Sequence, residues 1–370
     1  MQIGVVTETK PSERRVGLTP AGAATLVADG HEILVQEGAG VGAGFPDDAY
    51  RGSGARLEAT ADAVWSQSEL VVKVKEPIAS EYRHLRADLT LFTYLHLAAD
   101  RPLTAALVES GATAIAYETV RDTNGGLPLL VPMSEVAGRL AAQAAAHHLQ
   151  HPFGGPGILM GGVPGVRAAD VVVIGGGVVG TNAALVAAGM RAEVTILETS
   201  AKRLRELDAQ FGGTARVLAS DPETLRRSVA GADVVIGAVL VPGAAAPRLV
   251  RREDLAAMQP HALLVDVAID QGGCFETSRP TTHEDPTFTV DGILHYCVGN
   301  MPGAVPRTST RSLTNATLPY VRRLAADGPA QALADDPLLG SGLNVADHEI
   351  RFPAVADAFP DLPRAAPVGS

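Results

Sequence analysis

Gly175, Gly177 and Gly180 fall at G-x-G-x-x-G spacing within Asp170 to Glu198, DVVVIGGGVVGTNAALVAAGMRAEVTILE. A turn of this kind can hold the pyrophosphate of a dinucleotide. Gly175 permits the tight turn, Gly177 lets backbone N–H groups approach the phosphates, and Gly180 lets the next helix lie close on the strand. Glu198, at the end of the unit, can accept hydrogen bonds from the adenosine ribose hydroxyls. The glycine spacing alone says little in a chain with 39 glycines. The signal lies in the order of parts: buried strand, glycines, helix, second strand, acid.

Arg15, Lys75, His96 and Asp270 also have types suited to chemistry, and each has a plain structural alternative. Arg15, in SERRVGLTP, can clamp a carboxylate with its planar fork, or face solvent from a polar loop. Lys75, in LVVKVKEP, ends a strand where Rossmann-like sheets gather ligand groups. Its alternation with Val72, Lys73 and Val74 equally fits the wet face of an edge strand. His96 shares one strand face with Phe92 and Tyr94, where a histidine is more often a core residue. Asp270, in DVAIDQGG, can hold a water or ammonia and balance a cation, or can simply cap a turn.

The elements that must position these groups alternate between strand and helix. Strands are expected over 3–6, 33–36, 70–75, 89–97 and 114–116, with helices over 61–67 and 103–110 and a helix start at Thr19-Pro20. Ser134 is a plausible N-cap for an Ala-rich helix over 135–150. A Gly/Pro segment, 152–165, leads into the dinucleotide unit. Further strands are expected at 234–238, 263–267 and 294–298, and a helix from 308 to about 326. Residues from about 328 onward carry little signal and read as a peripheral tail. This order predicts an α/β protein with parallel, doubly wound sheets.

At 370 residues the chain can form two domains. Hydrophobic residues make up 46% and charged residues 19%, which fits a compact globular protein. A formal net charge of −11 with no basic stretch argues against a nucleic-acid partner. Cys274 and Cys297 are too few for a disulfide framework or a metal site. No stretch reads as a membrane span or a signal peptide, so a cytoplasmic location is expected.

Several stretches, in order, resemble the alanine dehydrogenase family. They are IGVVTETKPSERRVGLTP, VVKVKEP, LFTYLHLA, PLLVPMSEVAGRLAAQ, GVPGVRAADVVVIGGGVVG, VIGAVLVPGAAAP, LLVDVAIDQGGCFE, SRPTT and YCVGNMPGAVPRTST, spanning residues 3 to about 320. That family shares its architecture with the nucleotide-binding part of proton-translocating transhydrogenases. The resemblance implies two Rossmann-like doubly wound domains, with an NAD domain over 132–307 inserted into a catalytic domain split between 1–131 and 308–370. It implies a homohexamer that reversibly deaminates L-alanine to pyruvate and ammonia with NAD. A transhydrogenase-type subunit would need no set like Arg15, Lys75, His96 and Asp270.

By the same resemblance, Arg15 and Lys75 hold the substrate, and His96 and Asp270 are catalytic. Asn300 and Met301 contact nicotinamide and substrate. Ser134, Val178, Ser220, Val239, Leu240, Val267, Arg279 and Val298 correspond to NAD contacts, and Arg203 sits near the usual basic residue beyond the ribose acid, with Lys202 next to it. This chain departs from many relatives in having Glu198 rather than Asp as that acid. Arg323 and Asp327 stand where some members resemble a Glu/His metal pair, so no metal is expected there. The tail also diverges.

Overall fold

The computed structural model describes residues 1–239 and 246–366. The chain forms two compact units, residues 1–133 with 305–370, and residues 134–304.

The first unit begins with β1 (Gln2–Val5), α1 (Pro20–Ala28), β2 (Glu32–Gln36), α2 (Asp47–Gly52) and β3 (Arg56–Glu58). It continues with α3 (Ala61–Gln67), β4 (Leu70–Val72), β5 (Thr90–Thr93), α4 (Arg101–Ser110) and β6 (Thr113–Ala116). Thr19 accepts the Gly22 N–H and Pro20 opens α1, as the Thr-Pro pair suggests. Strand order is β3-β2-β1-β4-β5-β6, all parallel, so the order reverses between β1 and β4. Alternate residues face opposite sides and both are buried. Val71, Leu91 and Ala114 pack on one face with Trp65 of α3 and Leu107 of α4, while Ile3, Val5, Ile33, Val35 and Val72 are buried on the other.

Helix α5 (Val131–His148) carries the chain into the second unit. There follow β7 (Asp170–Ile174), α6 (Val178–Gly189), β8 (Glu193–Glu198), α7 (Ala201–Phe211), β9 (Arg216–Ala219) and α8 (Pro222–Gly231). The unit closes with β10 (Val234–Gly237), β11 (Leu263–Asp266), β12 (Thr287–Val290) and β13 (Ile293–Tyr296). Its order, β9-β8-β7-β10-β11-β13, repeats that of the first sheet, and β12 adds an antiparallel edge. Ala141, Ala142 and Ala145 of α5 join Ala183, Ala184 and Ala187 of α6 in the core of this unit. Small side chains permit that approach. A Cβ on Gly138 would lie 2.2 Å from the Val179 carbonyl oxygen.

The chain returns through α9 (Pro306–Asp327), α10 (Pro329–Asp335), α11 (Pro337–Gly340), β14 (Leu343–Ala346), β15 (Glu349–Ile350) and α12 (Pro353–Ala358). The segment from about 328, placed with the catalytic domain but read as a peripheral tail, instead joins the sheet and core of the first unit. β14 pairs antiparallel with β6, extending the first sheet, and Val345, Ile350 and Val355 enter its core. Short apolar runs between prolines leave no periodicity to read, so β14 is defined by pairing with β6 and β15 by pairing with β14.

Other expectations also change. Ser134 does not cap α5, because the helix starts at Val131 and places Ser134 within its first turn. Strands β4 and β5 end at Val72 and Thr93, short of residues 75 and 97. Among the described residues, no helix is long and apolar enough to cross a membrane.

Candidate active site

In both sheets, the loops after the strands flanking the reversal of order are where such folds build binding sites. In the first unit, the loop after β1 carries Glu8, Glu13 and Arg15, the turn after β4 carries Lys75, and the turn after β5 carries His96.

Arg15 is buried at 2% exposure. Its Nε donates to Glu13 Oε1 at 2.7 Å, Nη2 donates to Glu13 Oε2, and Nη1 approaches Met133 Sδ at 3.1 Å. Burial opposes the charge, but the Glu13 carboxylate more than offsets it and holds the guanidinium pKa above its usual value. Close packing fixes the loop. A Cβ on Gly17 would lie 2.6 Å from the Val72 carbonyl oxygen.

The wet-face alternative for the 70–75 strand fails at Lys73, which is completely buried and paired with Glu81 at 3.0 Å and Glu8 at 3.4 Å. Lys75 lies beyond the strand and is half-buried. Among the described residues its ammonium takes no ion-pair partner within the first unit, so its charge is available to an anion there.

His96 is not on the strand face shared by Phe92 and Tyr94. It lies past the end of β5 at φ 50°, and its side chain is 48% exposed. A left-handed conformation is costly for a histidine and is held here by neighbours. Glu118 accepts the backbone N–H of Leu95 at 3.2 Å and of His96 at 2.6 Å. The imidazole stacks on Tyr94, with ring centroids 5.9 Å apart. The Tyr94 hydroxyl donates to the Leu129 carbonyl at 2.6 Å. Burial raises the Tyr94 pKa against the pull of Arg15, so the phenol stays protonated.

In the second unit, Gly175 adopts φ +99°, and a Cβ there would lie 2.8 Å from the Ala238 carbonyl oxygen. Gly177 precedes α6 and faces open space, with nothing within 4 Å of a Cβ built on it. Gly180 presses on the turn, its Cβ position only 1.8 Å from the Gly175 carbonyl oxygen. Val178 opens α6 and is 37% exposed.

Glu198 closes the turn. It accepts the N–H groups of Gly176 at 2.9 Å, Thr199 at 2.7 Å and Ser200 at 2.8 Å. Burial alone would raise its pKa, but these donors more than offset that and hold the carboxyl below the usual range. Arg203 Nε donates to the Gly176 carbonyl at 2.7 Å, and its Nη2 donates to Thr181 Oγ1 at 2.8 Å. The Ser220 N–H donates to the Glu198 carbonyl at 2.9 Å.

Val239 and Val267 follow β10 and β11 and are partly buried. Leu240 lies outside the described residues. Asp270 is exposed in a short helical turn after β11, and its Oδ2 accepts the Asn300 N–H at 3.3 Å. Asn300 is left-handed at φ 53°. Met301 and Val298 are buried at 4% and 1% exposure in the core of this unit. Arg279 is exposed, with its guanidinium 4.2 Å from the Phe288 ring centroid. Arg323 lies in α9 of the first unit, 3.7 Å from both Asp327 and Asp336. Among the described residues, no cluster of His, Cys, Asp or Glu could hold a metal.

Sequence reasoning missed four organising carboxylates. Glu8, Glu13 and Glu118 support Lys75, Arg15 and His96. Asp266, fully buried, accepts the Cys274 N–H at 2.9 Å and the Ser278 hydroxyl, closing the loop that carries Asp270. Glu13 stands inside a quoted motif. Glu118 has no local signal, because it reaches His96 from the end of the neighbouring strand β6.

The first unit brings a buried guanidinium, a half-buried ammonium and a held imidazole to the ends of its parallel strands, and the second presents a glycine turn closed by a carboxylate. Residues 4–137 match the family described as Alanine dehydrogenase/PNT, N-terminal domain, and residues 141–353 match Alanine dehydrogenase/PNT, C-terminal domain. The chain is 57% identical to an alanine dehydrogenase from Halomonas elongata over 97% of both chains. It is 56% identical to one from Mycolicibacterium smegmatis over 98% of both. A solved L-alanine dehydrogenase superposes with a TM-score of 0.95 at 51% identity, covering 98% of this chain and 99% of that one. A transhydrogenase from Sinorhizobium meliloti, 24% identical with a TM-score of 0.82, shares the fold over 95% of this chain and 100% of that one. The chain belongs to the alanine dehydrogenase/PNT family.

Proposed function

We propose that this protein is an alanine dehydrogenase, which reversibly deaminates L-alanine to pyruvate and ammonia with NAD. The observation that carries this reading is the Arg15, Tyr94 and His96 group: a buried guanidinium, a protonated phenol that feels its charge, and an imidazole stacked on that phenol. In this reading 1–131 and 308–370 handle substrate and 132–307 bind NAD, which is supported by the division into units at 133/134 and 304/305.

The residues present fit NAD. Open space at Gly177 admits a pyrophosphate, and the Glu198 carboxylate keeps acceptor capacity for ribose hydroxyls. Val178, Ser220, Val239, Val267 and Arg279 would line its site, with Leu240, Val298, Ser134 and Arg203 in support. NAD supplies the acceptor for the hydride of the alanine α-carbon. The chain's own residues do the rest. Arg15 and Lys75 orient the substrate carboxylate and carbonyl oxygen, so much of the rate comes from placement. Nδ1 of His96 faces Glu118 at 3.8 Å, leaving Nε2 to exchange a proton with the attacking water. Asp270 and Asn300 hold the water or ammonia, and Asp270 balances the cationic imine.

We also assign a cytoplasmic homohexamer. Leu159, Val163 and Val166, 63%, 53% and 64% exposed, support self-association. Free Cys274 and Cys297 accord with a reducing compartment. The deciding assay is NADH formation by the purified chain with L-alanine and NAD. Activity is expected, and none with alanine would overturn the reading.

A further inference from the structure

We propose that the buried set Glu8, Lys73 and Glu81 is the device that positions Lys75, with Glu8 as the positioning residue. The inference rests on the reading above, in which Lys75 holds the substrate. Strand β4 loses its β1 neighbour after the Val5–Val72 pair. On the β5 side the ladder continues: Lys73 N–H donates to the Phe92 carbonyl at 3.2 Å, and Tyr94 N–H donates to the Val74 carbonyl at 3.3 Å. On the β1 side, the Glu8 side chain replaces the missing strand. Its Oε1 accepts the Val74 N–H at 2.6 Å and its Oε2 accepts the Lys75 N–H at 3.3 Å. Thr93 Oγ1 donates to the Lys75 carbonyl at 3.1 Å. Both backbone groups of Lys75 are therefore held by side chains, where a regular strand would use a ladder.

Burial, with the Glu13 and Glu81 carboxylates nearby, pushes the Glu8 pKa up, and the Lys73 ammonium and the Val74 N–H oppose that. Both Glu8 oxygens meet N–H donors, which favours the ionised acceptor. A charge at 8% exposure needs a counter-charge, and fully buried Lys73 supplies it. Lys73 also pairs with Glu81, whose Oε2 accepts the Thr9 hydroxyl at 2.9 Å and the Ile78 N–H at 3.0 Å. The set thus ties the segment leading to Arg15 to the turn that carries Lys75. Buried away from solvent as they are, Glu8, Lys73 and Glu81 act on the substrate only through what they hold. A mere stability role would act equally with or without the Lys75 side chain; a positioning role would not.

The test is a double-mutant cycle on the full-length protein with Glu8→Gln and Lys75→Ala. Glu8→Gln leaves Lys73 paired with Glu81, and its amide can accept only one of the two N–H groups. The readouts are oxamate binding to the NADH complex, followed by NADH fluorescence, and pyruvate KM and kcat. NADH affinity and the thermal midpoint report folding. Glu8→Gln is expected to weaken oxamate roughly 10- to 100-fold with NADH affinity unchanged, as a displaced anchor does. In the Lys75→Ala protein it should add almost nothing. Thr93→Val, which leaves the buried charges alone, should weaken oxamate less and with the same dependence on Lys75. It decides the matter if Glu8→Gln does not fold. Equal weakening with and without Lys75, or no weakening, would overturn the proposal. If Lys75→Ala itself bound oxamate normally, the substrate-site reading would fall first and the proposal with it.

Discussion

Glu118 holds His96 in two ways: its Oε1 accepts the His96 backbone N–H at 2.6 Å and lies 3.8 Å from the ring Nδ1. The first contact holds a left-handed backbone, and the second turns Nδ1 toward the carboxylate; in the proposed mechanism Nε2 is then the nitrogen that exchanges the proton. Replacing His96 by Ala should therefore lower turnover roughly 10²- to 10⁴-fold, the range for positioned acid–base groups. Glu118→Ala should lower kcat less, while NADH affinity stays near normal in both. Steady-state kinetics with direct NADH titration checks this, and full activity of His96→Ala would remove the histidine from the mechanism.

Arg15 and Glu13 form a buried pair, so substitutions at Arg15 should separate binding from folding. Arg15→Lys keeps a charge beside Glu13 but loses the planar fork, and pyruvate KM should rise steeply with little loss of stability. Arg15→Ala removes the guanidinium that neutralises the buried Glu13 carboxylate and should also cost roughly 3–5 kcal/mol of stability. Denaturant melts alongside pyruvate kinetics distinguish the two effects.

Gly177 and Gly180 predict opposite defects. A methyl group on Gly180 would meet the Gly175 carbonyl, which is backbone and cannot yield, so Gly180→Ala should destabilise the protein by about 1–3 kcal/mol. Gly177→Ala meets nothing within 4 Å and has a φ of −68°, so it should fold normally. Its methyl would occupy the space assigned to pyrophosphate, and NADH affinity should fall. Thermal melts and NADH titration of the pair report both outcomes.

Glu198 should exclude NADP, because a 2′-phosphate would meet its carboxylate directly. Arg203 does little to relieve that repulsion, since its guanidinium is engaged by Gly176, Thr181 and Glu206. Glu198→Gln should narrow the ratio of kcat/KM for NAD over NADP, mainly by improving NADP. Equal use of both cofactors by the unaltered protein would place Glu198 away from the ribose.

The same carboxylate gives a pH dependence. Its folded pKa lies below the ordinary value, so its stabilising contribution is fully present above that ordinary value. It is lost only as the pH falls through the depressed one. Stability of the protein should therefore be insensitive to Glu198→Gln in strong acid and reduced by it at neutral pH, as paired denaturant melts would show.

The sequence by itself determined the dinucleotide unit, since Asp170 to Glu198 holds every part of it within one βαβ segment. There local spacing and tertiary placement coincide. It also determined Arg15, Lys75, His96 and Asp270 as residues to watch, through motifs that are short and contiguous. Only the tertiary structure decided how those residues are held. Glu8 reaches Lys75 from 67 residues away and Glu118 reaches His96 from 22 away, pairings that no local periodicity encodes. Alternation put Lys73 on a wet face, yet its burial depends on the carboxylates that two other segments bring to it. Strand β14 likewise exists because β6 leaves an edge to pair with. A charge buried beside its partner and a strand formed on a neighbour's edge are properties of contacts between distant segments, so the order of residues along either segment alone does not contain them.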